Sequence, residues 1–257
     1  MTPQEMLTKL RAQNPLVHCM TNYVAMNIAA NVVLAAGASP AMVHAEEEIA
    51  EFTAICGALT VNIGTLSSPW LASMSAAARV AADNDIPWVL DPVAHFISGY
   101  RRKAAQNLLA LRPTIIRANA SEIIALSGQV GAGKGADSGD SVEAAQAAAR
   151  ALADQFGAVI SVTGPVDFVT DGTQQARISG GSIWMPQVTA LGCAQTALMG
   201  GYAAVGPAFD AAVACLAHFK VAGSAAAHTA KGPGSFQVQF LDALAATQPR
   251  DLAQAVA

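Results

Sequence analysis

The sequence is poor in charge: Asp, Glu, Lys and Arg make up 12% of its 257 residues, whereas hydrophobic residues make up 53%. This composition excludes a disordered chain, because disorder requires low hydrophobicity and high net charge. The net charge of −4 and the single basic run, residues 101–103, argue against nucleic acid as a partner, since phosphate backbones are bound by concentrated positive charge. With so few charged residues to cover the surface, we expect some apolar surface to be buried between the subunits of an oligomer.

Cysteines and long apolar runs are also scarce. The four cysteines are far apart in the sequence, at positions 19, 56, 193 and 215. Without a CxxC pair or a Cys/His metal pattern they indicate neither a disulfide framework nor a zinc site. No apolar run of about twenty residues is free of breakers and polar groups, and no signal peptide opens the chain. We therefore expect a soluble, cytoplasmic protein without a membrane partner.

Short β-type runs alternate with longer Ala-rich segments, which predicts an α/β fold with a parallel sheet covered by helices. The Asp171-Gly172 pair between two further β-type runs predicts a hairpin. No internal repeat or linker interrupts the pattern, so we expect one domain over residues 1–257. The predicted strands cover residues 16–19, 41–44, 59–63, 87–93, 114–117 and 158–163.

The most glycine-rich segment, residues 128–141, has the GxxxxGK spacing of a P-loop at Gly128, Gly133 and Lys134. Gly135 stands where a P-loop has the Ser or Thr that binds magnesium, and the segment follows a predicted helix instead of a strand. We interpret it as a mobile surface loop.

Polar residues occur where the predicted strands end or the next helix begins. Because parallel strands end at one edge of a sheet, these residues are expected to line one cleft. Asp91 and Glu122 could hold Mg²⁺ there, directly or through water. Taken singly, Asn119 and Glu122 also fit a capping box and Asp91-Pro92 an ordinary turn. Their agreement in position favours phosphoryl transfer. The set is Asn22, Asn62, Asp91, Asn119, Glu122, Thr163 and Cys193.

Cys193 lies at the predicted start of a helix in residues 186–205. The field of a helix N-terminus favours a thiolate, which predicts a lowered thiol pKa and a role as base or nucleophile. The alternative is a small buried side chain that only packs, as most free cysteines do.

Seven segments carry a resemblance to a known family: residues 16–48, NIGTL (62–66), LDPV (90–93), residues 112–123, GADS (135–138), SVTG (161–164) and Gly192-Cys193. Through them the sequence resembles the hydroxyethylthiazole kinases of the ribokinase-like superfamily over nearly the whole chain. The resemblance implies a three-layer α/β/α fold with a mainly parallel central sheet, and a homotrimer with sites between subunits. It also implies Mg-dependent transfer of the ATP γ-phosphate to the hydroxyl of 4-methyl-5-(2-hydroxyethyl)thiazole in thiamine salvage.

The resemblance assigns roles residue by residue. Met42, Asn22 and Ala190 would line the substrate site. Arg117, Thr163 and Asn119 would bind the nucleotide, and Glu122 with Asp91 the Mg–phosphate network. Cys193 falls where related sugar kinases place a catalytic aspartate, and Gly192 would offer its backbone N–H to the transferred phosphate.

Two loops depart from the family pattern. After Asp-Pro-Val the family has a segment such as GVGAT, where this chain reads AHFISGYRR from Ala94. The family's Gly-x-Gly-Cys becomes Ala190-Leu191-Gly192-Cys193, and an alanine at positive φ would be strained. The alternatives are a catalytically weak or inactive relative that binds a thiazole-like or nucleotide ligand, a kinase of another small alcohol, or an enzyme with Cys193 as covalent nucleophile.

Overall fold

The computed structural model describes residues 1–129 and 139–256, so most of the predicted loop at 128–141 lies outside the described residues. Its centre is an eight-stranded sheet in the order β2-β1-β3-β4-β5-β6-β7-β8. Strands β1 to β6 are parallel, whereas β7 and β8 form the antiparallel hairpin predicted around Asp171-Gly172. The strands are β1 Leu16–Met20, β2 Ser39–Ala41, β3 Ala58–Asn62, β4 Trp88–Asp91, β5 Ile115–Asn119, β6 Val159–Thr163, β7 Asp167–Thr170 and β8 Gln175–Ile178.

Helices cover both faces of the sheet, as predicted. One apolar cluster joins one sheet face to α1, α2, α8, α9 and α10. A second cluster joins the opposite face to α3 through α7. The three-layer α/β/α architecture is therefore confirmed. The helices are α1 Pro3–Gln13, α2 Met26–Ala36, α3 Ile49–Ala54, α4 Ser68–Asp83, α5 Gly99–Leu109, α6 Ala120–Leu126, α7 Val142–Phe156, α8 Leu191–Ala203, α9 Ala208–Ala227 and α10 Pro233–Ala246.

Strand alternation decides which polar groups face α8. In β4, Trp88 and Leu90 pack in the second cluster, whereas Val89 packs in the first. Successive side chains point to opposite faces, so Asp91 shares the face of Val89. By the same period Arg117 of β5 lies on the α8 side of the sheet.

Helix α8 packs unusually close to the sheet. A β-carbon on Gly200 would lie 2.4 Å from Thr60 Cγ2 and 3.0 Å from Val17 Cγ1. Only glycine fits so close an approach of the C-terminal half of α8 to β1 and β3.

Helix α1, capped by Thr2 with Glu5 in a capping box, was not predicted from the sequence. The strand predicted at residues 41–44 is shifted toward the N-terminus: β2 covers Ser39–Ala41, and the carbonyl of Val43 beyond it lies 2.8 Å from His18 Nε2. Among the described residues, every helix is too short or too polar to span a bilayer.

Candidate functional site

A chain of side-chain hydrogen bonds links the ends of β1, β3 and β4. Asn22 Nδ2 donates to Asn62 Oδ1 at 2.8 Å, and Asn62 Nδ2 donates to Asp91 Oδ2 at 2.8 Å. Asn22 Oδ1 accepts from the backbone N–H groups of Val24 and Ala25, just before α2. The predicted gathering of strand-end residues at the carboxyl edge is thus observed for these three strands.

Asp91 is fully buried at the centre of this edge. Its Oδ2 accepts from Thr196 Oγ1 of α8 at 2.7 Å and lies 3.5 Å from Arg117 Nη1. Burial raises the pKa of Asp91, while the Arg117 charge and the hydrogen bonds oppose the rise. Its Oδ1 is buried without a hydrogen-bond partner in the described part of the chain. Such an atom costs free energy unless a ligand satisfies it.

Arg117 connects Asp91 of β4 to Thr163 at the end of β6. Its Nη2 donates to Thr163 Oγ1 at 2.9 Å, and its Nε donates to Gln195 Oε1 at 3.2 Å. A β-carbon on Gly192 would lie 2.9 Å from Nη2, so glycine makes room for the guanidinium at the N-terminus of α8. A cation and a helix N-terminus therefore converge on one spot, as a phosphate site requires.

Glu122 anchors the far side of the site through backbone groups. Its Oε2 accepts from Asn119 N–H at 2.9 Å, while Asn119 Oδ1 accepts from Glu122 N–H at 3.0 Å. This is the predicted capping box at the start of α6. The other oxygen, Oε1, accepts from Ala94 N–H at 2.8 Å. Burial, and then the Asp91 charge, raise the pKa of Glu122 to about 7. The negative charge of Asp91 thus disfavours the charged form of Glu122.

Cys193 lies in the first turn of α8, and its Sγ accepts a hydrogen bond from Asn22 Nδ2 at 3.3 Å. Burial, followed by the Asp91 charge, raises the pKa of this thiol to about 11. The expectation of a lowered pKa is therefore wrong: desolvation and a like charge outweigh the favourable field of the helix start.

Both loops that depart from the family pattern contain an alanine in the left-handed region. Ala190, the N-cap of α8, has φ 58°, and Ala94 has φ 50°. The strain predicted for Ala190 is thus present, and the chain keeps the turn despite the β-carbon.

Met42 stays apart from the network. It follows β2 and packs, partly buried, against the core cluster of α2 and α8. Thr196 and Gln195 were missed by sequence reasoning, although each is a polar residue in the apolar run of α8. Arg101, which binds the loops after β3 and β4, was noted only as part of a basic run.

The chain is similar to known proteins over nearly its whole length. Residues 7–249 match the hydroxyethylthiazole kinase family. Hydroxyethylthiazole kinases of Roseobacter denitrificans and Rhizobium etli are 75% and 63% identical, over 100% and 94% of both chains. The hydroxyethylthiazole kinase structure of Pyrococcus horikoshii superposes with a TM-score of 0.92 at 35% identity, covering 99% of this chain and 97% of that one. A ribokinase-like superfamily protein of Enterococcus faecalis shares the fold at a TM-score of 0.68 and 10% identity, over 94% and 93% of the two chains.

Proposed function

The chain belongs to the hydroxyethylthiazole kinase family, and we propose that it transfers the γ-phosphoryl group of ATP to the hydroxyl of 4-methyl-5-(2-hydroxyethyl)thiazole. The observation that carries the proposal is the convergence of Arg117, Asp91 and the α8 N-terminus. Phosphoryl transfer requires mainly that groups be positioned and negative charge be stabilised, and this arrangement supplies both.

The nucleotide is assigned to Arg117, Thr163 and Asn119. Arg117 is held on three sides, by Asp91, Thr163 and Gln195, so its guanidinium is already oriented when phosphates arrive. A bound phosphate would gain a charge-assisted contact from an arginine that is already oriented.

The residues present fit a magnesium ion. The buried Asp91 Oδ1 is without a partner in the described ranges, and Glu122 lies close enough for the Asp91 charge to raise its pKa. Asp91 and Glu122 would hold the ion, directly or through water, since Mg²⁺ keeps several waters and uses few protein carboxylates. When bound, the ion supplies charge neutralisation on the phosphate oxygens.

The acceptor alcohol is assigned to Asn22, at the end of the network, and to Ala190, the N-cap of α8; Met42, which lies apart from the network, would complete its contacts. Its oxygen forms a bond to the γ-phosphorus, the bond from that phosphorus to the bridging oxygen breaks, ADP leaves, and the hydroxyl proton passes to water. Gly192 would donate its N–H to the transferred group. Cys193, a neutral thiol at its raised pKa, would contact and orient the acceptor hydroxyl.

We further propose a homotrimer with sites between subunits, each chain acting as one domain in the cytoplasm. Tyr23 and Val24 directly follow Asn22 and are 65% and 57% exposed, an apolar surface beside the site that a second subunit could cover. Val24→Asp should then lower the mass measured by light scattering, whereas Val238→Asp, at a residue 59% exposed on α10, should not.

A coupled assay of ADP release tests the activity, with the thiazole alcohol, other small alcohols and no acceptor compared at fixed ATP and Mg²⁺. Release that depends on the thiazole supports the proposal. No release, together with a thiazole-induced rise in melting temperature, would favour the non-catalytic binder to which the strained Ala190 also points. Release with another alcohol alone would identify a different substrate.

A further inference from the structure

Arg101 lies in the first turn of α5, and its half-buried guanidinium reaches the loops after β3 and β4. Nη1 donates to the carbonyl of Ile63 at 2.8 Å and to that of Val93 at 3.0 Å. Nη2 donates to the carbonyl of Gly64. One side chain therefore fixes two segments that are far apart in sequence.

The N–H groups of two of these peptide units hold site residues. The unit joining Ile63 to Gly64 accepts from Arg101 through its carbonyl, and its N–H donates to Asn62 Oδ1 at 2.9 Å. The unit joining Val93 to Ala94 does the same, with its N–H donating to Glu122 Oε1 at 2.8 Å. A peptide unit is planar and trans, so fixing its carbonyl also fixes the direction of its N–H.

Each of the two peptide units is connected to a carboxylate of the site. Asn62, oriented by the first peptide unit, donates to Asp91 Oδ2 at 2.8 Å. Glu122 receives the second peptide N–H directly. Without the guanidinium, three carbonyls would lose a charge-assisted donor, and both peptide units would be free to turn.

We propose that Arg101 is a positioning residue, which sets the orientation of Asn62 and Glu122 through two peptide units and thereby fixes both carboxylates of the site. For its catalytic consequence the inference rests on the proposed function. The orientation itself can be measured without nucleotide or metal.

The neighbouring Arg102 is a matched control. It is exposed, and within the described ranges its guanidinium donates one hydrogen bond, from Nη1 to the carbonyl of Phe96 in the adjoining turn. Arg101→Met and Arg102→Met each remove one guanidinium from the same helical turn, and they differ in the loops that lose it.

The first readout is the amide proton shift and hydrogen exchange of Gly64 and Ala94 in the nucleotide-free and metal-free protein. In Arg101→Met both amides should move upfield and exchange faster, and in Arg102→Met they should stay unchanged. Arg101→Lys should give smaller changes in the same direction, because one ammonium replaces two nitrogens. Unchanged amides in Arg101→Met, or in Arg101→Lys if the methionine variant does not fold, would overturn the proposal.

The second readout separates kcat from KM. A displaced carboxylate pair lowers the rate of the bound complex, so kcat of Arg101→Met should fall about 10- to 100-fold while KM for ATP changes little. Millimolar guanidinium should restore part of kcat in this variant and none in Arg102→Met. A rise in KM with kcat unchanged would overturn the positioning role. If the wild type released no ADP, the proposed function would fail while the amide measurement still decided the role of Arg101.

Discussion

Replacing Cys193 by alanine tests what the thiol does. Its pKa is raised to about 11 by burial and by the Asp91 charge. Each pH unit below the pKa reduces the thiolate tenfold, so at pH 7 about one molecule in 10,000 carries it, at a free-energy cost of about 5 kcal/mol. In a mechanism that needed a preformed thiolate, this cost would add to the activation free energy. We therefore expect a neutral thiol that orients the acceptor.

The two roles predict different magnitudes. Loss of an orienting contact worth about 1 kcal/mol should lower kcat of Cys193→Ala by about tenfold or less and leave KM for ATP unchanged. Loss of a general base would lower kcat by about 10²- to 10⁴-fold. The sign of the pH effect also differs. As pH rises toward 11 a thiolate base would gain population, so the wild-type rate would increase tenfold per unit, whereas an orienting thiol gives no such rise.

Steady-state ADP release between pH 7 and 9 decides between them. We expect wild type and Cys193→Ala to have parallel profiles of log kcat against pH. Cys56→Ala is the matched control, because burial raises the pKa of Cys56 to about 11 as well, and this thiol donates to the Phe52 carbonyl in α3. A wild-type slope of one that disappears only in Cys193→Ala would refute the orienting role and establish the thiolate as base.

Three further predictions concern the metal, the strained turn and a buried ion pair. Glu122→Gln should raise the Mg²⁺ concentration needed for half-maximal rate. The control is Glu143→Gln, at an exposed glutamate in the first turn of α7, which should leave this concentration unchanged. Equal Mg²⁺ titrations of the two variants would contradict the metal role of Glu122. Ala190→Gly removes about 1–2 kcal/mol of left-handed strain and adds about 0.5–1 kcal/mol of unfolded-state freedom, so urea titration should show unchanged or higher stability, and a clear loss would contradict this. Lys220 Nζ donates to the carbonyls of Gly164 and Pro165 and lies 3.4 Å from buried Asp167 Oδ1. Lys220→Met should therefore lower the free energy of unfolding by about 3–5 kcal/mol, and adding Asp167→Asn should restore part of it. Additive losses in the double variant would contradict the pairing.

Features that depend on one helical turn or on the direction of neighbouring strands could be predicted from the sequence. The three-residue spacing of Asn119 and Glu122 fitted the capping box that the structure contains, and the common direction of parallel strands predicted that Asn62 and Asp91 lie at one edge of the sheet. These features follow from the period of one element or from the common direction of parallel strands. Both pairs were predictable because the capping-box partners lie within one helical turn, while Asn62 and Asp91 end parallel strands of one sheet.

Features that depend on tertiary burial could not be predicted in this way. The lowered pKa expected for Cys193 followed from the local field of the helix start. Burial of the thiol and the charge of Asp91, about a hundred residues earlier in the sequence, raise this pKa instead. Arg117, inside an apolar strand, was assigned by resemblance alone, because a lone arginine in a β-type run gives no signal of its partners. Thr196 shows the same limit, since its hydroxyl meets Asp91 only when α8 packs on the sheet.

The site is preorganised, and the unsatisfied Asp91 Oδ1 indicates where a ligand would complete it. Asn62, Arg117 and Glu122 already have partners in side chains or backbone N–H groups, so a ligand need not reorient them and stabilisation of transferring charge costs little reorganisation. Asp91 Oδ1 differs, because it is fully buried and without a partner among the residues described. Since Arg117 approaches the other oxygen, Oδ2, a cation at Oδ1 could bind without displacing the guanidinium that is proposed to hold the phosphates. The two oxygens of one carboxylate would thus connect the phosphate and cation halves of the site.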